Sequence, residues 1–115
     1  MTNPKGARFE RLMADYIGGE LEDDAIDRQV KNGTKDRGDI RGVKIWGRKV
    51  AIECKNTARP EIAKALREAE VERGNIDGLA AVVISKRTGK GQAPDQLVTM
   101  TARDFVALLS GVRPE

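Results

Sequence analysis

The run Leu79-Ala80-Ala81-Val82-Val83-Ile84-Ser85 carries no polar residue before its last position. Side chains of an extended chain alternate between faces, so an aliphatic run without alternation reads as a strand buried on both faces at the centre of a sheet. Such a strand needs cover on each side, which puts the chain in the α/β class with helices flanking a central β-sheet. One covering helix is legible just upstream. Pro60 suits a first helical turn, and Ile62, Ala65, Leu66, Ala69 and Val71 form an apolar stripe that ends near Gly74-Asn75.

The remaining elements fall around that pair. Phe9, Leu12, Met13, Tyr16 and Ile17 recur at helical spacing between residues 5 and 18, with Gly18-Gly19 as the stop. A short strand-like stretch, Ala25 to Val30, leads into Lys31-Asn32-Gly33-Thr34-Lys35-Asp36-Arg37-Gly38, a polar and glycine-containing loop. Asp39 to Trp46 and Lys49 to Lys55 read as two strands of an antiparallel hairpin turning around Gly47-Arg48. After the aliphatic strand, Leu97 to Met100 is a last strand. Thr101 with Asp104 then forms a capping-box-like start for a helix bearing Phe105, Leu108 and Leu109. The expected order is α-β-β-β-α-β-β-α in a single domain spanning residues 1–115.

At 115 residues, one core suffices without staples, burying roughly 65% of the unfolded chain's surface. The single Cys54 excludes an internal disulfide and a multi-thiolate zinc site. The absence of histidine excludes Ser-His and Cys-His catalysis and histidine-bound metals. Hydrolytic chemistry in this chain must therefore rest on carboxylates, lysine and a metal. Nothing resembles a signal peptide or a membrane span, so an intracellular, cytoplasmic protein is expected, and no organic cofactor is called for.

The net charge of +3 hides a basic block. Residues 28 to 59 hold ten Lys or Arg against three acids, Asp36, Asp39 and Glu53, so that segment is +7 and the remainder −4. A cationic block around two carboxylates fits a phosphodiester substrate, since backbone neutralisation and counterion release supply most sequence-independent affinity for nucleic acid. Four aromatic residues cannot build a base-stacking platform, which favours duplex or branched DNA over single strands.

The chemistry concentrates at the end of the Lys49 to Lys55 strand. Alternation puts Ala51, Glu53 and Lys55 on one face and Val50, Ile52 and Cys54 on the other. Glu53 and Lys55 thus sit side by side at a strand's end. Asp39, fourteen residues upstream of Glu53, can bring a second carboxylate for a hard cation. Plain alternatives exist: a turn residue at Asp39, an exposed ion pair between Glu53 and Lys55, and a solvent-facing helix residue at Glu10. The acids between Glu20 and Asp27 lack the spacing and glycine of a calcium loop and read as solvated surface. Cys54 reads as a small apolar residue facing the core, and Trp46 as packed in the sheet or at a dimer contact.

Three segments in order resemble the PD-(D/E)xK, or restriction-endonuclease-like, phosphodiesterases, and among them the archaeal-type and phage Holliday junction resolvases. Lys5-Gly6-Ala7-Arg8-Phe9-Glu10 is similar to the family's first-helix motif, Gly38-Asp39-Ile40 to its aspartate strand, and Ile52-Glu53-Cys54-Lys55 to its Glu-x-Lys strand. Together they span the first half of the chain. One departure is Gly38 where the family motif has proline.

The resemblance implies a restriction-endonuclease-like core with a mixed sheet, and metal-dependent hydrolysis of DNA phosphodiesters. Asp39 and Glu53 would hold Mg²⁺, with Mn²⁺ able to substitute, and the Cys54 backbone carbonyl is the natural further ligand. Glu10 would add an acid at the metal or its water shell. Lys55 would stand near the attacking water or scissile phosphate, as a base or as a positive charge. Lys31, Thr34, Lys35 and Arg37 occupy the place of a DNA-contacting loop, while Lys5, Arg8, Arg41 and Arg59 are further candidates for phosphate contact. The substrate implied is a four-way junction cut by a homodimer, because paired symmetric cuts need two like sites. Other nucleases of this fold acting on nicks, flaps or specific duplex sites are the nearest alternative, and a non-catalytic DNA-binding module the next.

Overall fold

The computed structural model describes residues 4–31 and 33–115; Asn32 of the basic loop lies outside the described residues. Helix α1 spans Pro4–Glu20, β1 Asp27–Arg28, β2 Ile40–Arg41, β3 Lys44–Ile45, β4 Arg48–Lys55 and α2 Ile62–Asn75. Strand β5 covers Ala80–Ser85, a single 3₁₀ turn Ala93–Asp95, β6 Leu97–Thr99 and α3 Ala102–Ser110. The result is an α/β domain whose mixed sheet runs β1-β2-β4-β5-β6, with β3 hydrogen-bonded to β4. Strands β4 and β5 are parallel and joined through α2; the other pairs are antiparallel.

The aliphatic run forms an interior strand buried along its whole length, as expected, but the middle place in the sheet order goes to β4, with β5 between it and the edge strand β6. The sheet's two faces are covered differently. On one, Phe9 and Met13 of α1 pack with Ile40, Val50, Ile52, Val82 and Ile84. On the other, α2 sets Ala65 and Ala69 against Ala51, Ala81 and Val83. Facing alanines let the helix axis approach the sheet closely.

The structure refines the sequence reading in detail. The stretch 39–46 is two short strands, because Gly42 sits at φ +89° where a Cβ would meet the Ala25 carbonyl oxygen at 2.3 Å. The hairpin pairs Ile45 with Arg48, so the turn residues are Trp46 and Gly47, both at positive φ, as a type I′ turn requires. Trp46 lies on the surface, its indole N–H donating to the Leu108 carbonyl at 2.9 Å and its ring against Gly111. Val71, Phe105 and Leu109 are likewise exposed rather than in core stripes.

Asp104 shows why the last of these shifts occurs. Its backbone N–H donates to the Thr101 hydroxyl, which caps α3. Its carboxylate turns inward, accepting from the Ala81 N–H at 2.9 Å and from Arg113 at 2.5 Å. The face of α3 toward β5 is therefore Asp104 and Ala107, which leaves Phe105 and Leu109 outside. Helix α1 also continues two residues beyond Gly18, to Glu20.

Candidate metal centre at the end of the central strands

In an open sheet with parallel strands, functional groups gather beyond the strands' carboxyl ends. Glu53 and Lys55 lie at the carboxyl end of β4. Strand β2 runs antiparallel to β4, so its beginning lies beside that end: Ile40 pairs with Ile52. The Asp39 N–H donates to the Ile52 carbonyl at 2.7 Å, and Asp39 Oδ2 accepts from the Cys54 N–H at 2.7 Å. A residue's N–H and C=O leave a strand on the same side, so the Cys54 carbonyl also points to the Asp39 edge.

Gly38, where the resembling family has proline, now has a physical reason. Its φ is +94°, a Cβ would stand 2.9 Å from the Ile52 carbonyl oxygen, and its N–H donates to Asp36 Oδ1 at 3.0 Å. Proline can supply neither that φ nor that N–H.

The two carboxyls are 7% exposed each and in contact. Burial, then the neighbouring carboxyls of Glu72 and Asp39, push Glu53 up to about 11. Burial works the same way on Asp39, but hydrogen bonds from Glu53, Lys31 and the Cys54 amide outweigh it and hold Asp39 below the ordinary range. Burial and mutual contact thus move the two carboxyls in opposite directions, Glu53 up and Asp39 down. Burial, with the charges of Asp39, Glu10 and Glu53, pushes the Cys54 thiol up, which removes it as a nucleophile or soft metal ligand.

The other predicted residues are distributed around this pair. Lys31, one of the residues expected to contact DNA, places Nζ 2.5 Å from Asp39 Oδ1 and 2.8 Å from the Gly38 carbonyl. Lys55 Nζ is 2.8 Å from Glu68 of α2. Burial disfavours its charge, yet the Glu68 hydrogen bond and the nearby acids more than compensate and raise it. Glu10 is buried on the α1 side of the sheet and accepts from Arg28 Nε and Nη2 at 3.2 and 3.1 Å. Burial and the Asp39 charge nevertheless raise its pKa.

Among the phosphate candidates, Lys5, Arg8, Thr34, Lys35, Arg37, Arg41 and Arg59 are all exposed, with Arg41 also 3.8 Å from Asp27. Lys5 lines a groove of about 290 Å³ with Asn56, Thr57 and Lys86, and Arg59 lines one of about 270 Å³ that reaches Lys55. Arg37 and Arg41 line a cavity of about 630 Å³ with Lys44 and Lys49, which contains none of the candidate carboxylates.

Sequence reasoning missed Glu68 and Glu72. Helical spacing from Ala65 and Ala69 leads to Glu72 on the same buried face, and that extrapolation was the available signal. Compared with known protein families, curated proteins and solved structures, the chain matches none of them.

Proposed function

We propose that this domain is a cation-dependent endodeoxyribonuclease with a restriction-endonuclease-like core, acting on four-way DNA junctions as a homodimer. The observation that carries the reading is the contact of Asp39 with Glu53 at the carboxyl end of β4, two residues before Lys55, with Lys31 paired to Asp39 and Arg59 lining the groove that reaches Lys55. The first-helix, Asp-strand and Glu-x-Lys segments supply the family likeness.

The donors fit a hard divalent cation. They are carboxylate oxygens and a backbone carbonyl, with no imidazole or thiolate, which suits Mg²⁺ or Mn²⁺. Asp39 and Glu53 would hold it, their closeness being the feature a divalent cation would offset. When bound, the ion lowers the pKa of its water and offsets charge on the phosphate. Lys55, kept an ammonium by Glu68, contributes a fixed positive charge and a donor for a phosphate oxygen rather than a base. Lys31, now the counter-charge of Asp39, would be free to meet the DNA backbone where a bound cation supplied that charge instead. The exposed cations of the basic block neutralise backbone phosphates.

A two-fold dimer presents two such centres to a symmetric junction. Exposed apolar side chains on β6 and α3, namely Leu97, Val98, Phe105, Val106 and Leu109, supply surface suited to self-association.

The test is cleavage of an end-labelled synthetic four-way junction against linear duplex of the same sequence, with Mg²⁺ and with chelator. Paired, metal-dependent nicks on the junction alone are expected. Equal cutting of the duplex moves the assignment to a general or site-specific nuclease, and a folded, metal-loaded protein that cuts neither refutes the catalytic reading.

A further inference from the structure

Glu72 is the least compensated group among the described residues. It is 0% exposed, and neither of its carboxylate oxygens has a hydrogen-bond partner. Helix α2 aims it at Glu53, and one oxygen each from Glu72, Glu53 and Asp36 lie within 4.8 Å of one another. The three come from separate elements: α2, β4 and the loop before β2.

The arrangement is held from outside. Asn75, at the end of α2, donates its side-chain amide to the Asp36 carbonyl at 2.7 Å, and Asp36 Oδ1 is fixed by the Gly38 N–H. The loop is thereby tied to the helix that carries Glu72. Alanines at 51, 65, 69 and 81 bring that helix against the sheet. A lone carboxylate buried without a donor is costly, and relief comes from a proton or from a cation. Asp36 is exposed, so the cluster is open to solvent on one side.

We infer that Glu72, Glu53 and Asp36 form a divalent-cation site on the α2 side of β4, with Glu53 shared between it and Asp39. The inference rests on the nuclease reading for its purpose and deepens it. Glu72 takes the place of supporting metal ligand that the family likeness assigns to Glu10, whose carboxylate already has the Arg28 guanidinium. The donors are oxygen throughout, so the cation is hard, of the Mg²⁺ and Mn²⁺ class.

The experiment is a Mn²⁺ titration of the chelator-stripped chain, read by the electron paramagnetic resonance of free ion and by melting temperature. Glu72→Gln should weaken Mn²⁺ binding about tenfold or more and abolish most of the Mn²⁺-induced rise in melting temperature. Asp36→Asn, on an exposed residue that leaves the core untouched, should weaken binding severalfold. Glu10→Gln should weaken it less than either. Glu72→Gln that takes up Mn²⁺ like the unaltered chain overturns the inference and leaves the Asp39–Glu53 centre standing. An unaltered chain that binds no Mn²⁺ at millimolar concentration overturns both the inference and the cation-dependent reading.

Discussion

The two faces of β4 are built to opposite rules. Toward α1, Val50 and Ile52 meet large side chains, Phe9, Met13, Ile40 and Ile84, and the buried acid of α1, Glu10, has a guanidinium partner. Toward α2, Ala51 meets other alanines, and beyond it Glu53 stands against Glu72 and Asp39 with too few donors to go round. Volume and satisfied polarity hold the fold on the first face. On the second, close approach gathers buried acids of which Glu72 has no hydrogen-bond partner, and the fold tolerates it because stability is supplied elsewhere.

Substitutions on the two faces should therefore fail in different currencies. The largest expected effect is on the α2 face: Glu53→Gln should cut junction cleavage by at least about a hundredfold to a thousandfold, while junction binding persists and the melting temperature does not fall. A Glu53→Gln protein that still cleaves would show that the carboxylates are not the centre. On the α1 face, Ile52→Ala should cost about 2 to 5 kcal/mol in denaturant unfolding, with cleavage retained wherever the protein remains folded. Were Ile52→Ala to abolish cleavage without loss of stability, the division between faces would be wrong.

The next effect is smaller and depends on pH. Burial raises Glu72 from 4.5 to about 7. Between those values the folded chain holds a proton that the unfolded chain releases, so stability falls as pH rises, by about 1.4 kcal/mol per unit for such a group. Below 4.5 both states are protonated and the penalty vanishes. Glu53 acts in the same direction over a wider window, from 4.5 to about 11. Asp39 acts oppositely, its contribution being lost only as pH drops below its ordinary 3.8. The metal-free chain should melt higher at about pH 5 than at pH 8. Glu72→Gln should flatten that slope and stabilise by about 2 to 3 kcal/mol at pH 8, as read by urea unfolding at both pH values. A Glu72→Gln protein less stable at pH 8 would mean that the carboxylate has a compensating partner.

Legibility in the sequence followed the same division. The apolar content of β5, the Pro60 helix start and the alternation that puts Glu53 and Lys55 on one face could be read directly, because period and composition are local properties. The split at Gly42 could not, since it depends on the distant Ala25 carbonyl. Nor could the fate of Asp104, whose helix-start spacing fits a cap while its carboxylate answers the Ala81 N–H across the sheet. Within the centre, Asp39, Glu53 and Lys55 were marked by strand context. Glu72 was hidden by an expectation that a helix stripe continuing from Ala65 and Ala69 would be apolar. The pairing of Lys31 was not legible, because its partner, Asp39, lies across a loop.

The smallest effect tests whether the acid on the α1 face differs from Glu72 only by its partner. Arg28 donates twice to Glu10 Oε1, and its hydrogen bond and charge counter the upward push on Glu10 from burial and from Asp39. Arg28→Met keeps much of the apolar stem while removing the guanidinium, leaving Lys31 as the remaining counter-charge on Glu10. The pKa of Glu10 should then rise further. An acid raised in the folded state destabilises above its unfolded value, so the loss should be about 1 to 2 kcal/mol at pH 8 and much less at pH 5. Urea unfolding at the two pH values reads the difference directly, since any lost stem packing enters both equally. If the loss is the same at both, the guanidinium acts through packing, and the two faces differ in volume rather than in how their acids are compensated.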